Sequence, residues 1–185
     1  MKVGFRVDGN KKLGLGHVKR CIVLAKNLQK RNVSCFFIIQ FKEIKGYLES
    51  KGFEVFIIHQ KNELQQINKI LIKENCTKLV IDSKRKSIEP LLKKLDKHIK
   101  IILIDNANYW KYADLIVISS IKNTKKIYPE NSIFGIKYLL HGIEEIPKSI
   151  KRKNGSIVLS MGGTDKYNIT KKLFIHFTSV MMILT

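Results

Sequence analysis

Residues 3–20 read VGFRVDGNKKLGLGHVKR. An apolar run, Val3-Gly4-Phe5-Arg6-Val7, stops at Asp8, and a loop punctuated by Gly9, Gly14 and Gly16 follows. His17 then opens a stretch in which Val18, Cys21, Ile22, Ala25 and Leu28 fall at helical spacing, with lysines on the other side. Strand, glycine loop, helix is the opening unit of a parallel α/β sheet. It brings backbone N–H groups and the positive end of a helix dipole to the carboxyl edge of the strands, where phosphates bind well. The same edge receives a carboxylate (Asp8), an imidazole (His17) and two cations (Lys19, Arg20).

Further along, short apolar runs alternate with helical ones. Strands are expected at 2–7, 33–40, 54–58, 78–81, 99–104, 115–118 and 156–160, and helices at 17–31, 42–51, 63–74 and 88–97. Most of the strand runs are β-branched and almost continuously apolar, as strands buried on both faces are. Repeated β-α units define the fold class: α/β, a doubly wound, Rossmann-like parallel sheet with right-handed crossovers. Ligands of such sheets sit beyond the carboxyl ends of the strands, and that rule gathers Asp8, Asp82 and Asp105 toward one rim. Residues 147–155, polar and basic and closed by Gly155, read as a linker. The expected organisation is therefore a first domain over 1–146, the linker, and the start of a second, incomplete domain over 156–185. Phe174 to Thr185 carries no formal charge and continues no obvious amphipathic helix, which reads as the drifted or frame-shifted tail of a shortened domain. An apolar helix docked on the first domain is the alternative.

A chain of 185 residues with 44% hydrophobic and 27% charged residues is long enough for a full core and is globular. The net charge of +20, from 35 basic against 15 acidic residues, raises nucleic acid as a partner. The lysines, however, are spread over every expected helix and loop, and the clusters at 84–86 and 151–153 lack interleaved aromatics that would stack bases. A general Lys/Ile bias explains the charge more simply, and no nucleic-acid partner is expected. Cys21, Cys35 and Cys76 form no metal or redox spacing, and Cys21 and Cys35, in apolar runs, read as buried free thiols of a reducing cytoplasm. No apolar stretch is long enough for a membrane span. His59, His98, His141 and His176 are scattered, so no metal site and no cofactor are expected. The motifs of serine hydrolases and P-loop proteins are missing.

The string at 8–25, DG followed by LGLGHVKRCIVLA, together with SMGGTD at 160–165, resembles the PseG/SpsG-like proteins. That resemblance implies the fold of the MurG-type (GT-B) glycosyltransferases. It also implies hydrolysis of a UDP-linked 2,4-diacetamido-2,4,6-trideoxy sugar in pseudaminic acid or surface polysaccharide biosynthesis, without a metal. It further implies that His17 activates the attacking water and that a UDP-sugar is the partner. Its second domain, opening at residue 156, would carry most of the nucleotide contacts. On the residues themselves, Gly14 and Gly16 give a ligand access to backbone. Asp8 is either a turn aspartate or a ligand of sugar hydroxyls, or it orients His17. Arg20 and Asp82 are placed at the substrate. Gly162, Gly163, Thr164 and Asp165 form a second phosphate-binding loop, or an ordinary strand-to-helix turn with Asp165 as N-cap.

The chain departs from the pattern at two points. Asp82-Ser83-Lys84 stands where the family has a D-H-Y-type motif, so the tyrosine is missing. The run Gly135-Ile136-Lys137-Tyr138-Leu139-Leu140 is kept, but His141-Gly142-Ile143-Glu144 follows it. Two other readings accompany the hydrolase: a glycosyltransferase with a hydroxyl acceptor in place of water, and an inactive sugar-nucleotide-binding remnant. A homodimer, or a partner supplying the rest of the second domain, is a further expectation.

Overall fold

The computed structural model describes residues 1–10, 12–83, 88–119, 129–142 and 167–183, the side chains of the last stretch as far as 176. Seven strands form one sheet: β1 (Lys2–Val7), β2 (Ser34–Ile39), β3 (Glu54–Ile57), β4 (Lys78–Asp82), β5 (Lys100–Ile104), β6 (Leu115–Ile118) and β7 (Ser132–Phe134). Their order is β3-β2-β1-β4-β5-β6-β7, and every neighbouring pair is parallel. The chain winds outward from β1 in one direction, returns, and winds outward from β4 in the other. The reversal lies between β1 and β4, the place where ligands of such sheets commonly bind.

The two faces follow from the period of two along each strand. Val3, Phe5 and Val7 of β1, with Val80 and Ile104, pack under α1 (Gly16–Gln29) and α2 (Lys45–Glu49). Leu79 and Ile81 of β4, with Leu103 and Ile116, pack under α3 (Glu63–Lys73) and α4 (Glu89–Lys94). The stripe expected on α1 is the buried one: Val18, Cys21, Ile22 and Ala25 all face the sheet. Cys21, Cys35 and Cys76 are free and buried; apolar runs surround the first two, while Cys76 lies between Asn75 and Thr77 just before β4.

Three elements differ from the sequence reading. β7 was not expected; it holds two apolar residues, Ile133 and Phe134, and it becomes a strand by pairing with β6. The helix expected at 88–97 is only Glu89–Lys94, because Leu95 already has extended backbone with ψ of 146°. Residues Ile169–Ile183 form a helix, α5, where a drifted tail was the first expectation and an apolar helix the alternative. Its Phe174 and Ile175 are exposed. The linker at 147–155, the strand at 156–160 and the loop Gly162-Gly163-Thr164-Asp165 lie outside the described residues.

Candidate functional site

The loop after β1 is built by its own side chains. Asn10 Oδ1 accepts hydrogen bonds from the backbone N–H groups of Lys12 and Leu13, at 2.8 and 2.7 Å. Gly14 N–H closes the turn on Asn10 O at 2.8 Å. Gly14 sits at φ 76°, a left-handed conformation that a side chain would strain. α1 then starts at Gly16 with no side-chain cap and no acidic residue in its first turn. A Cβ on Gly16 would meet nothing within 4 Å. The residue thus borders open space at the helix N-terminus.

One helical turn holds both His17 and Arg20, and both reach across to β4. Asp82 is the last residue of β4, paired with Val7, and its side chain is fully buried on the α1 face. His17 Nδ1 lies 2.7 Å from Asp82 Oδ1. A carboxylate can only accept, so the proton of this bond sits on Nδ1, leaving the lone pair of the neutral ring on Nε2. The His17 side chain is 25% exposed, enough to meet a ligand at the rim. Arg20 forks onto the same carboxylate: Nε donates to Asp82 Oδ2, and one terminal nitrogen donates to Asp82 Oδ1 at 2.5 Å. Its other terminal nitrogen donates to Asp105 Oδ2, just past β5.

Arg20 is the cation of this cluster and faces two carboxylates, Asp82 and Asp105, so with a neutral His17 one negative charge is left in excess. Burial pushes the Asp82 carboxyl up, but the hydrogen bonds from Arg20 and His17 and the charge of Arg20 outweigh it and hold the group below its ordinary value. Burial likewise works against the Arg20 cation, and Asp82 and Asp105 overcome it, raising Arg20 above its ordinary value. Beside them the Cys21 thiol lies 3.7 Å from Asp82 Oδ2, and burial, then the negative charge of Asp82, push it well up. It is an inert thiol.

Asp8 stands elsewhere. Its carboxylate accepts from Arg6 at 2.8 Å and from the backbone N–H of Gln40 at 3.0 Å, tying the ends of β1 and β2 together. Arg6, fully buried, also donates to Glu63 at 2.7 Å. Burial disfavours the Arg6 cation and Asp8 and Glu63 more than compensate. The carboxylate that orients His17 is therefore Asp82. The sequence reading placed Asp82 at the substrate and left the orienting role open for Asp8. The spacing between residues 17 and 82 carries no local signal; only the rule that strand ends share a rim points to the pair. Asp105, read as a rim residue, is joined to the pair through Arg20. Among the described residues no group of three or more His, Cys, Asp and Glu side chains is arranged to hold a metal ion. A groove of about 300 Å³ between α3 and α4, lined in part by Lys61, Glu63 and Lys94, lies on the other side of the sheet from His17.

Fold and site together define a class: a parallel α/β sheet of the GT-B Rossmann-like kind, with a histidine–aspartate pair at the point where strand order reverses. Comparison with known proteins agrees on the fold. The chain is 31% identical to an uncharacterized protein of Methanocaldococcus jannaschii, over 94% of this chain and 39% of that one. It is 26% identical to the UDP-2,4-diacetamido-2,4,6-trideoxy-beta-L-altropyranose hydrolase of Campylobacter jejuni, over 94% of this chain and 64% of the hydrolase. The chain thus spans less than two thirds of the length of either relative. Among solved structures, MurG of Acinetobacter baumannii superposes with a TM-score of 0.54 at 9% identity, over 72% of this chain and 45% of MurG, a likeness of fold. No protein-family profile matches. Among the described residues no helix is long and apolar enough to cross a membrane.

Proposed function

We propose that this chain carries the catalytic half of a sugar-nucleotide hydrolase, with a UDP-linked diacetamido-trideoxy sugar as the substrate class. The single observation that carries the reading is the His17–Asp82 hydrogen bond at 2.7 Å. A buried, ionised carboxylate that holds Nδ1–H leaves Nε2 as a base at the rim. In the proposed step Nε2 takes one proton of a water molecule as its oxygen attacks the anomeric carbon. The bond from that carbon to the diphosphate oxygen breaks, and UDP leaves with the electron pair. The products are the free sugar and UDP; the proton on His17 returns to solvent. The uncapped N-terminus of α1, next to the open space at Gly16, supplies N–H donors for charge developing on the diphosphate. Gly162, Gly163, Thr164 and Asp165 are proposed to contact the nucleotide from their own loop, and Gly14 to shape the first one. The likeness to the Campylobacter hydrolase supports the substrate class.

Hydrolysis in ¹⁸O-labelled water tests both the activity and the bond that breaks. The account expects the label on the anomeric hydroxyl of the released sugar and none in UDP. Label in UDP contradicts attack at carbon, and a rate that rises only when an alcohol acceptor is added identifies a transferase instead.

A further inference from the structure

Asp105 has three features that its role as a rim carboxylate does not require. Its backbone lies at φ 51°, in the left-handed region, and it is not a helix terminus. Its Oδ1 accepts from the backbone N–H of Ser119 at 2.9 Å, and the Ser119 hydroxyl reaches both carboxylate oxygens at 3.0 Å. Its Oδ2 takes the outer terminal nitrogen of Arg20. The loop after β5 thus holds one end of the guanidinium while Asp82 holds the other.

The orientation of that guanidinium matters to His17. The terminal nitrogen that bonds Asp82 Oδ1 also lies 3.1 Å from His17 Nδ1. Two hydrogen-bonding schemes therefore compete at Nδ1. In the first, Nδ1–H donates to Asp82 and Arg20 stays on the two carboxylates. In the second, the ring carries its proton on Nε2, and Arg20 turns to donate to the Nδ1 lone pair. Only the first leaves Nε2 able to take a proton. A guanidinium is a rigid plane, so fixing one terminal nitrogen at Asp105 fixes the direction of the other.

We propose that Asp105 is a positioning residue for His17: by pinning Arg20 onto the two carboxylates it keeps the ring proton on Nδ1. The proposal rests on the reading of His17 as a base, but its test needs no substrate. Long-range ¹⁵N–¹H NMR of the ¹⁵N-histidine-labelled chain, with His17 assigned by its loss in His17→Gln, reads the tautomer of the neutral ring directly. The wild type is expected in the Nδ1–H form. In Asp105→Asn the ratio of Nε2–H to Nδ1–H should rise about tenfold, the factor that one charge-assisted hydrogen bond carries. Ser119→Ala, which loosens Asp105 without removing its charge, should move the ratio the same way by about two- to threefold and serves where Asp105→Asn does not fold. An unchanged ratio in the folded variants, or an Nε2–H ring in the wild type, overturns the proposal. Failure to release UDP would count against the hydrolase and leave this measurement standing.

Discussion

At the scale of single residues, two buried carboxylates with similar surroundings have different work. Asp82 orients a histidine at the rim, so Asp82→Asn should lower turnover by about 10²- to 10⁴-fold, the range seen when a histidine loses its orienting carboxylate. Loss of less than about threefold would place the rate elsewhere. Asp8 balances the buried Arg6, so Asp8→Ala should cost about 3 kcal/mol of stability by leaving that cation short of a partner. Urea unfolding checks this, and an unchanged midpoint would show that Glu63 alone suffices. Asp82 also gives a pH signature. A carboxyl whose value is depressed by folding adds stability that is complete above its unfolded value, near 4, and that is lost as pH falls through the folded value. Below about pH 4 the wild type should therefore lose stability more steeply than Asp82→Asn. Superimposable acid profiles would contradict the ion pairing described for Asp82.

At the scale of elements, the unit β1–loop–α1 is where sequence and structure agree best, because its signals are local. An apolar run, glycines in a turn and a helical stripe are all visible within thirty residues. β4 and β5 were equally legible as runs, and the rim rule brought Asp82 and Asp105 near His17. The hydrogen bonds among them were not legible, since nothing within either run tells which face its last residue takes. Arg6 was hidden for the same reason: inside an apolar strand, a charged residue declares itself only once Asp8 and Glu63 are seen around it. β7 escaped because three residues make a strand only beside β6. The helix over Ile169–Ile183 stood only as the alternative reading because its polar residues, Lys171 and Lys172 among them, mark no sustained amphipathic period. The open space at Gly16 yields a prediction of opposite signs. Gly16→Ala should stabilise the fold by about 0.5–1 kcal/mol, since it restrains the unfolded chain and meets no neighbour. It should also weaken substrate binding, because the methyl group enters the space through which a diphosphate would approach. A variant that is stabilised and fully active would show that no ligand comes near this backbone.

At the scale of the whole molecule, the net charge of +20 is spread rather than focused, and its first consequence is self-repulsion. Raising NaCl from low ionic strength to physiological should therefore raise the melting temperature by several degrees, as screening relieves roughly 1–2 kcal/mol. A falling melting temperature would mean that exposed ion pairs such as Lys93–Glu89 outweigh the repulsion. The sheet, its reversal between β1 and β4, and the histidine–aspartate pair at that reversal converge on one arrangement: an imidazole at the rim whose Nδ1 is held by a buried carboxylate. The most direct measurement is UDP release from a UDP-linked diacetamido-trideoxy sugar by the wild type and by His17→Gln at matched concentrations of folded protein. Release by the wild type, reduced by about 10²-fold or more in His17→Gln, is the expected result. Equal rates in the two proteins would contradict the assignment of His17 as the base.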